Sequence, residues 1–236
     1  MPNSYGTDFR PVFRFLPTKV KINCYIYSRV INSRVKKGPS MKNLILVIGR
    51  SGSGKDTLVR YATNALKDFH KIVSVPSYTD RPIRPTETDG VEHTFLTKEQ
   101  FDELLEKETM FAYTKIGETG FRYCSTVEML ERLDGDTIFY VIDPNGYDYC
   151  SKFRDKFNMK VVYVGTSDTI RRERANARNG DTTSWDRRSA DEDEQFTRFE
   201  ELAPWDACIS NDGALVTAET AFVHAISDFL NGADNG

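Results

Sequence analysis

Along the chain, short unbroken apolar runs alternate with stretches in which apolar residues recur every three or four positions. Residues 43–48, Asn-Leu-Ile-Leu-Val-Ile, form the first run. It is short, continuous and rich in branched side chains, which predicts a strand buried on both faces. The runs at 137–142 and 160–164 read the same way, and 208–210 is a shorter candidate. After the first strand, Leu58, Tyr61, Ala62 and Leu66 fall at helix spacing. Residues 96–107 predict another helix. Its start is marked by Thr97 with Gln100 three positions on, and its apolar face by Phe101, Leu104 and Leu105. Further helical periods cover 125–133, 145–156, 167–178, 186–202 and 215–230. Strands alternating with helices predict an α/β fold, a parallel sheet with helices on both faces. Ligands in such sheets bind beyond the carboxyl ends of the strands, where the turns after 48, 142 and 164 fall.

Composition narrows the function classes. The chain has 236 residues, 39% of them hydrophobic and 28% charged, enough for one buried core. Its longest apolar run, 44–48, is about a quarter of a bilayer span, so no membrane helix is expected. Eight of the 32 basic residues and only one of the 35 acids lie in residues 1–40. Residues 41–236 therefore hold 24 basic and 34 acidic side chains, a charge that repels duplex DNA. Cys24, Cys124, Cys150 and Cys208 lack metal-ligand spacing and read as reduced thiols of a cytoplasmic protein. The segment 1–40 lacks the apolar core of a secretory signal. It is expected to be a basic extension, disordered or not translated, ahead of a domain beginning near Met41.

The chemistry begins directly after the first strand. Gly49-Arg50-Ser51-Gly52-Ser53-Gly54-Lys55-Asp56-Thr57 joins that strand to a helix. Strand, glycine-rich turn, lysine and helix together make a phosphate-binding loop. The glycines let successive amides point inward at phosphate oxygens, and the helix adds its positive end. Lys55 supplies the charge that follows the β and γ phosphates. Asp56 stands where Ser or Thr usually binds Mg²⁺, with Thr57 one place later. A carboxylate is a hard-oxygen ligand, so Asp56 is expected to serve the metal instead. Arg50 has no role that its position predicts.

A second anion site is predicted at 77–95. Arg81 and Arg84 lie three apart in a loop stiffened by Pro82 and Pro85. Two guanidinium forks held this way suit a phosphate dianion, although a solvated loop with surface arginines has the same composition. Together, the 49–57 motif and Ser77-Tyr-Thr-Asp-Arg-Pro-Ile-Arg-Pro-Thr-Glu-Thr-Asp-Gly90 resemble the guanylate kinase family. Tyr123-Cys-Ser125 and Ile142-Asp143-Pro-Asn-Gly146 continue the likeness, which covers roughly 43–230. The resemblance implies a P-loop NTPase fold with a core at 41–76 and 126–236, an acceptor-binding lobe at 77–125 and a lid at about 174–190. It implies that Arg81, Arg84 and Tyr123 hold the acceptor phosphate, that His93 takes the place of a family tyrosine, and that Ser77 and Ser125 touch the base. Asp143 would lie near acceptor and metal. Arg174, Arg178 and Arg187 would close over the donor.

Three departures bear on the substrate. His93 replaces tyrosine, Ala112 stands where a base-reading carboxylate is expected, and Val141 replaces an aspartate. Glu108 or Glu118 is a substitute carboxylate under a shifted alignment. The Lys55-Asp56 pair is shared with ribosyl bisphosphate phosphokinases and with some phage deoxynucleotide kinases. The expected activity is transfer of the ATP γ-phosphoryl, with Mg²⁺, to GMP or dGMP. Ribose 1,5-bisphosphate, a non-guanine nucleotide, or a non-catalytic binding module are the alternatives. The partners would be small molecules, in a monomer or homodimer. Six arginines among residues 171–188 read as the lid, and Asp191-Glu-Asp-Glu194 as a solvated helix face.

Overall fold

The computed structural model describes residues 41–233, except 86, 92, 118 and 180–182 and the side chains of 178, 179, 183–191 and 233. Five strands, β1 (Asn43–Ile48), β2 (Ile72–Ser74), β7 (Thr137–Ile142), β8 (Asn158–Gly165) and β9 (Ala207–Ser210), form a parallel sheet. Their order is β2-β7-β1-β8-β9, so β1 is central. Alternate β1 residues enter two separate cores because successive side chains point to opposite faces. Leu44, Leu46 and Ile48 pack with Ile138, Tyr140, Val161, Phe196 and Phe199, the last two from α6 (Thr183–Leu202). Ile45 and Val47 pack with Leu58 and Ala62 of α1 (Lys55–Leu66) and with Phe222 and Ile226 of α7 (Leu215–Ala233). Burial on both faces is why β1 has no polar alternation.

A second sheet holds β3 (Tyr78–Thr79), β4 (Thr94–Phe95), β5 (Met110–Lys115) and β6 (Arg122–Thr126), in the order β4-β3-β6-β5. Helix α2 (Lys98–Lys107) precedes β5, with the expected capping box: Thr97 accepts from the Gln100 amide, and Gln100 accepts from the Thr97 amide. The remaining helices are α3 (Val127–Arg132), α4 (Pro144–Cys150) and α5 (Asp168–Asn179).

Three expectations need correction. The helix read at 125–133 begins at Val127, because Ser125 and Thr126 complete β6 and the Thr126 hydroxyl caps the helix by accepting from the Met129 amide. The helix read at 145–156 ends at Cys150 and continues only as a 3₁₀ turn over Ser151–Phe153. The sequence predicts none of β2 to β6: β2, β3 and β4 have only two or three residues, the apolar stretch Met110–Tyr113 of β5 runs straight into Thr114 and Lys115, and β6 mixes polar with apolar residues.

Candidate active site

The glycine-rich loop leaves the carboxyl end of β1. Gly52 and Gly54 have φ of 80° and 87°, a region that costs a side-chain-bearing residue energy. A Cβ on Gly54 would also stand 2.5 Å from the Asn211 amide nitrogen. Gly54 is the N-cap of α1, and no side chain caps the helix there. The first amides of α1 have no partner within the helix, so they are open donors at its positive end.

The loop carbonyls are turned outward and held. Arg171 Nη1 donates to Ser51 O at 3.2 Å, and Arg174 Nη1 donates to Gly52 O and Ser53 O, both at 3.3 Å. Asn211 Nδ2 donates to Ser53 O at 2.8 Å and the Thr166 hydroxyl to the same oxygen at 3.2 Å. These donors lie just beyond β8 and β9 and on α5. A peptide whose carbonyl faces out must direct its amide the other way, so the anion-facing side of the loop is set from behind. Arg174 Nη2 also donates to Asn211 O at 2.8 Å. The guanidinium that the resemblance places over the donor is thus engaged with the loop's outer carbonyls. Arg178 and Arg187 fall outside the described side chains.

Lys55 opens α1. Asp56 is exposed and Thr57 half-buried in the same turn. Asp143 follows β7 on the same edge of the sheet and accepts from the Gly146 amide at 2.8 Å, capping α4. Burial raises the Asp143 pKa above the ordinary carboxylate range, with the Glu192 charge adding to the effect. Asp56, Thr57 and Asp143 offer carboxylate and hydroxyl oxygens, a donor set that suits Mg²⁺. Among the described residues no group of three or more His, Cys, Asp or Glu forms a metal cage.

The second sheet carries the other predicted residues. Arg81 is only 5% exposed and its donors are committed. Nη1 and Nη2 donate to Glu87 at 2.7 and 2.5 Å, and Nε donates to the Tyr123 hydroxyl at 2.9 Å. Phe95 stacks under the guanidinium at 5.2 Å. Arg84 is 60% exposed, and its main-chain amide donates to Glu87. The expected pair of equivalent forks is therefore divided: Arg81 is the buried frame and Arg84 the solvent-facing cation. Ser77 is buried and shares a 2.9 Å hydrogen bond with His93 Nδ1. The His93 ring packs edge-on against Tyr123 at 5.5 Å and Phe95 at 5.9 Å. Burial, reinforced by the Arg81 charge, lowers its pKa below the ordinary imidazole value. Ser125 is fully buried, and in the strand register it lies opposite Ala112, itself 3% exposed. A methyl group faces Ser125 where a carboxylate was expected. Glu108 closes α2 with its carboxyl near Glu128, and Glu118 lies outside the described residues.

Glu87 was not singled out from the sequence, because its partner becomes evident only when the loop folds back. The Arg81 hydrogen bonds hold its pKa down to about 2 from 4.5. A lowered folded pKa contributes stability above the unfolded value, and that contribution is lost as pH falls through the folded one. Glu87→Gln is therefore expected to lower the melting temperature at pH 7. The gap should shrink to about half by about pH 3. A gap unchanged between pH 6 and 3 would contradict the pairing.

The solvated helix face expected at 191–194 holds for Asp193 and Glu194, which are exposed, but not for Glu192, which is 17% exposed and accepts from the Ser51 amide at 3.1 Å. Arg50, for which no role was predicted, pairs with Asp193 and Glu200 on the same helix.

Comparison with known proteins agrees with this geometry. The sequence model of the guanylate kinase family matches residues 40–224. A guanylate kinase from Pasteurella multocida is 32% identical over 124 residues, 52% of this chain and 58% of that protein. One from Aliivibrio fischeri is 33% identical over 147 residues, 61% and 68%. A ribose 1,5-bisphosphate phosphokinase PhnN from Psychromonas ingrahamii is 42% identical over 76 residues, 32% and 37%. The chain spans little more than half the length of the first curated relatives it matches. The crystal structure of guanylate kinase from Anaplasma phagocytophilum superposes with a TM-score of 0.56 at 19% identity, covering 82% of this chain and 87% of that one. The fold is thus that of a P-loop NTPase. From the match over most of its length, the chain belongs to the guanylate kinase family.

Proposed function

We propose that this protein transfers the γ-phosphoryl group of ATP to the phosphate of a nucleoside monophosphate, GMP or dGMP. The observation that carries the reading is the pairing of two anion sites: a loop with its carbonyls held outward, and the Arg81–Arg84–Tyr123 group on the second sheet. Two phosphate-bearing substrates need two such sites. In the proposed arrangement residues 77–125 are the acceptor lobe, Arg178 and Arg187 belong to a lid over the donor, and Arg174, expected with them, instead braces the loop from behind.

The acceptor is already an anion, so no strong base is required. Its phosphate oxygen bonds to the γ-phosphorus while the bond from that phosphorus to the β–γ bridging oxygen breaks, giving a diphosphate and ADP. The loop amides and Lys55 orient the donor and offset its charge. Arg84 and the Tyr123 hydroxyl orient the acceptor, held in place by Arg81. Asp56, Thr57 and Asp143 are the residues proposed to meet Mg²⁺, which when bound neutralises phosphate charge.

A second reading has its own support. With Ala112 opposite Ser125, no carboxylate at that place reads a guanine edge, and one relative is named a ribose 1,5-bisphosphate phosphokinase. A coupled ADP-release assay over GMP, dGMP, the other nucleoside monophosphates and ribose 1,5-bisphosphate separates the two. GMP or dGMP is expected to give the highest kcat/KM. A preference for the sugar bisphosphate would reverse the order, and no turnover with any acceptor would leave a binding module.

A further inference from the structure

Helix α6 turns three carboxylates toward the start of the glycine-rich loop. Arg50 Nε and Nη2 donate to the two oxygens of Glu200 at 2.8 and 3.0 Å, and Nη1 donates to Asp193 at 2.5 Å. The guanidinium lies 5.2 Å from the centre of the Phe196 ring, and the side chain is 12% exposed. One residue on, the Ser51 amide donates to both oxygens of Glu192 at 3.1 Å, and the Ser51 hydroxyl donates to the same carboxylate. The Tyr163 hydroxyl donates to Glu200. Arg171 on α5 reaches Ser51 O and lies 3.6 Å from Glu192.

Exposed ion pairs contribute little, because water competes and two long side chains lose freedom. The Arg50–Glu200 pair differs. It is bidentate and packed on an aromatic ring, with the Arg50 side chain 12% and the Glu200 side chain 33% exposed, the arrangement in which a guanidinium fork is most directional. Burial alone would lower the Arg50 pKa, but the hydrogen bonds to Glu200 and Asp193 outweigh it and hold the pKa above the ordinary value. The side chain is spent on α6 and is not an open cation in the loop. Its consequence is mechanical: residues 50–51 are tied to α6 just upstream of the turn in which the loop amides take their direction.

We propose that Arg50 is a positioning residue for the phosphoryl donor, gripping Glu200 and Asp193 so that helix α6 fixes the orientation of the loop amides. The proposal rests on the reading of this loop as the donor site. A displacement of about 1 Å in a positioning element can cost about a hundredfold in rate, so a tether behind the loop is felt by a ligand it never touches. Lysine cannot replace the fork, since one ammonium cannot bridge both oxygens of Glu200 and reach Asp193 as well.

The test uses the full chain with Arg50→Gln, Glu200→Gln and the double variant. Magnesium-ATP affinity is measured by calorimetry, both KM values by the coupled assay, and stability by thermal melting. Each single change is expected to weaken magnesium-ATP binding about tenfold or more, with acceptor KM within about twofold of wild type. The double variant should be no weaker than the weaker single, because both break one interaction. Arg50→Lys should recover little. If Arg50→Gln does not fold, Asp193→Asn, at a carboxylate 61% exposed, provides the milder test with an expected loss of about two- to fivefold. The proposal is overturned if Arg50→Gln binds magnesium-ATP as wild type does. It is equally overturned if the losses multiply in the double variant, or if both KM values rise together as a general loosening would produce. If wild-type protein itself binds no magnesium-ATP, the donor-site reading fails, and the proposal with it.

Discussion

Lys55→Ala is expected to lower kcat by about a thousandfold or more while leaving the fold intact. The residue sits at the first position of α1, behind a left-handed Gly54 that aims the helix start into the loop. In the proposed reaction its ammonium meets the charge that develops as the γ-phosphoryl group moves. Removing one preorganised charge or donor of that kind costs about a hundred- to a thousandfold, and the loss of a full charge beside a polyphosphate is expected to exceed it. The side chain is half-buried and outside both hydrophobic cores, so the melting temperature should change little. The coupled assay and a thermal melt together check this. A Lys55→Ala enzyme that keeps a tenth of wild-type turnover would sink the assignment of the donor site. Lys55→Arg should not rescue, since a planar fork does not fit the place of a compact ammonium.

Arg81→Ala is expected to damage both stability and acceptor binding, and the two losses can be separated. Arg81 and Glu87 are 5% and 11% exposed. Removing the cation leaves Glu87 buried without its partner, which typically costs about 3–5 kcal/mol. The Tyr123 hydroxyl also loses the guanidinium that orients it, and Phe95 loses its stacked neighbour. Acceptor KM should rise about a hundredfold, with donor KM little changed. Adding Glu87→Ala should restore much of the melting temperature, because the stranded charge is gone. It should not restore acceptor KM. If the double variant recovers both, Arg81 serves the fold alone, and Arg84 with Tyr123 holds the acceptor without it.

The Arg50 and Arg81 networks have one architecture. In each, an arginine with little exposure is saturated by carboxylate from its own chain and backs a polar surface that meets solvent. Such an arginine contributes rigidity more than charge. In the proposed arrangement the groups that meet the substrates are main-chain amides, Lys55, Arg84 and the Tyr123 hydroxyl.

The local pattern of the sequence was enough to determine β1, β7 and β8, the glycine-rich loop, the capping box of α2 and the parallel α/β class. Each depends on residues within one turn or one strand of each other, where apolar period and turn chemistry act directly. The strands of the second sheet were not legible. β3 and β4 have two residues each, β6 mixes apolar with polar and charged residues, and the apolar stretch Met110–Tyr113 of β5 is too short for periodicity to tell a strand from a helix segment. Only the tertiary structure decided which charges are spent. Arg50 meets Glu200 across 150 positions of chain, Ser51 meets Glu192 across 141, and Arg174 folds under the loop it was expected to cover. A charged side chain carries the same local signature whether it faces water or a buried partner, because the desolvation that decides its role exists only once distant segments pack together.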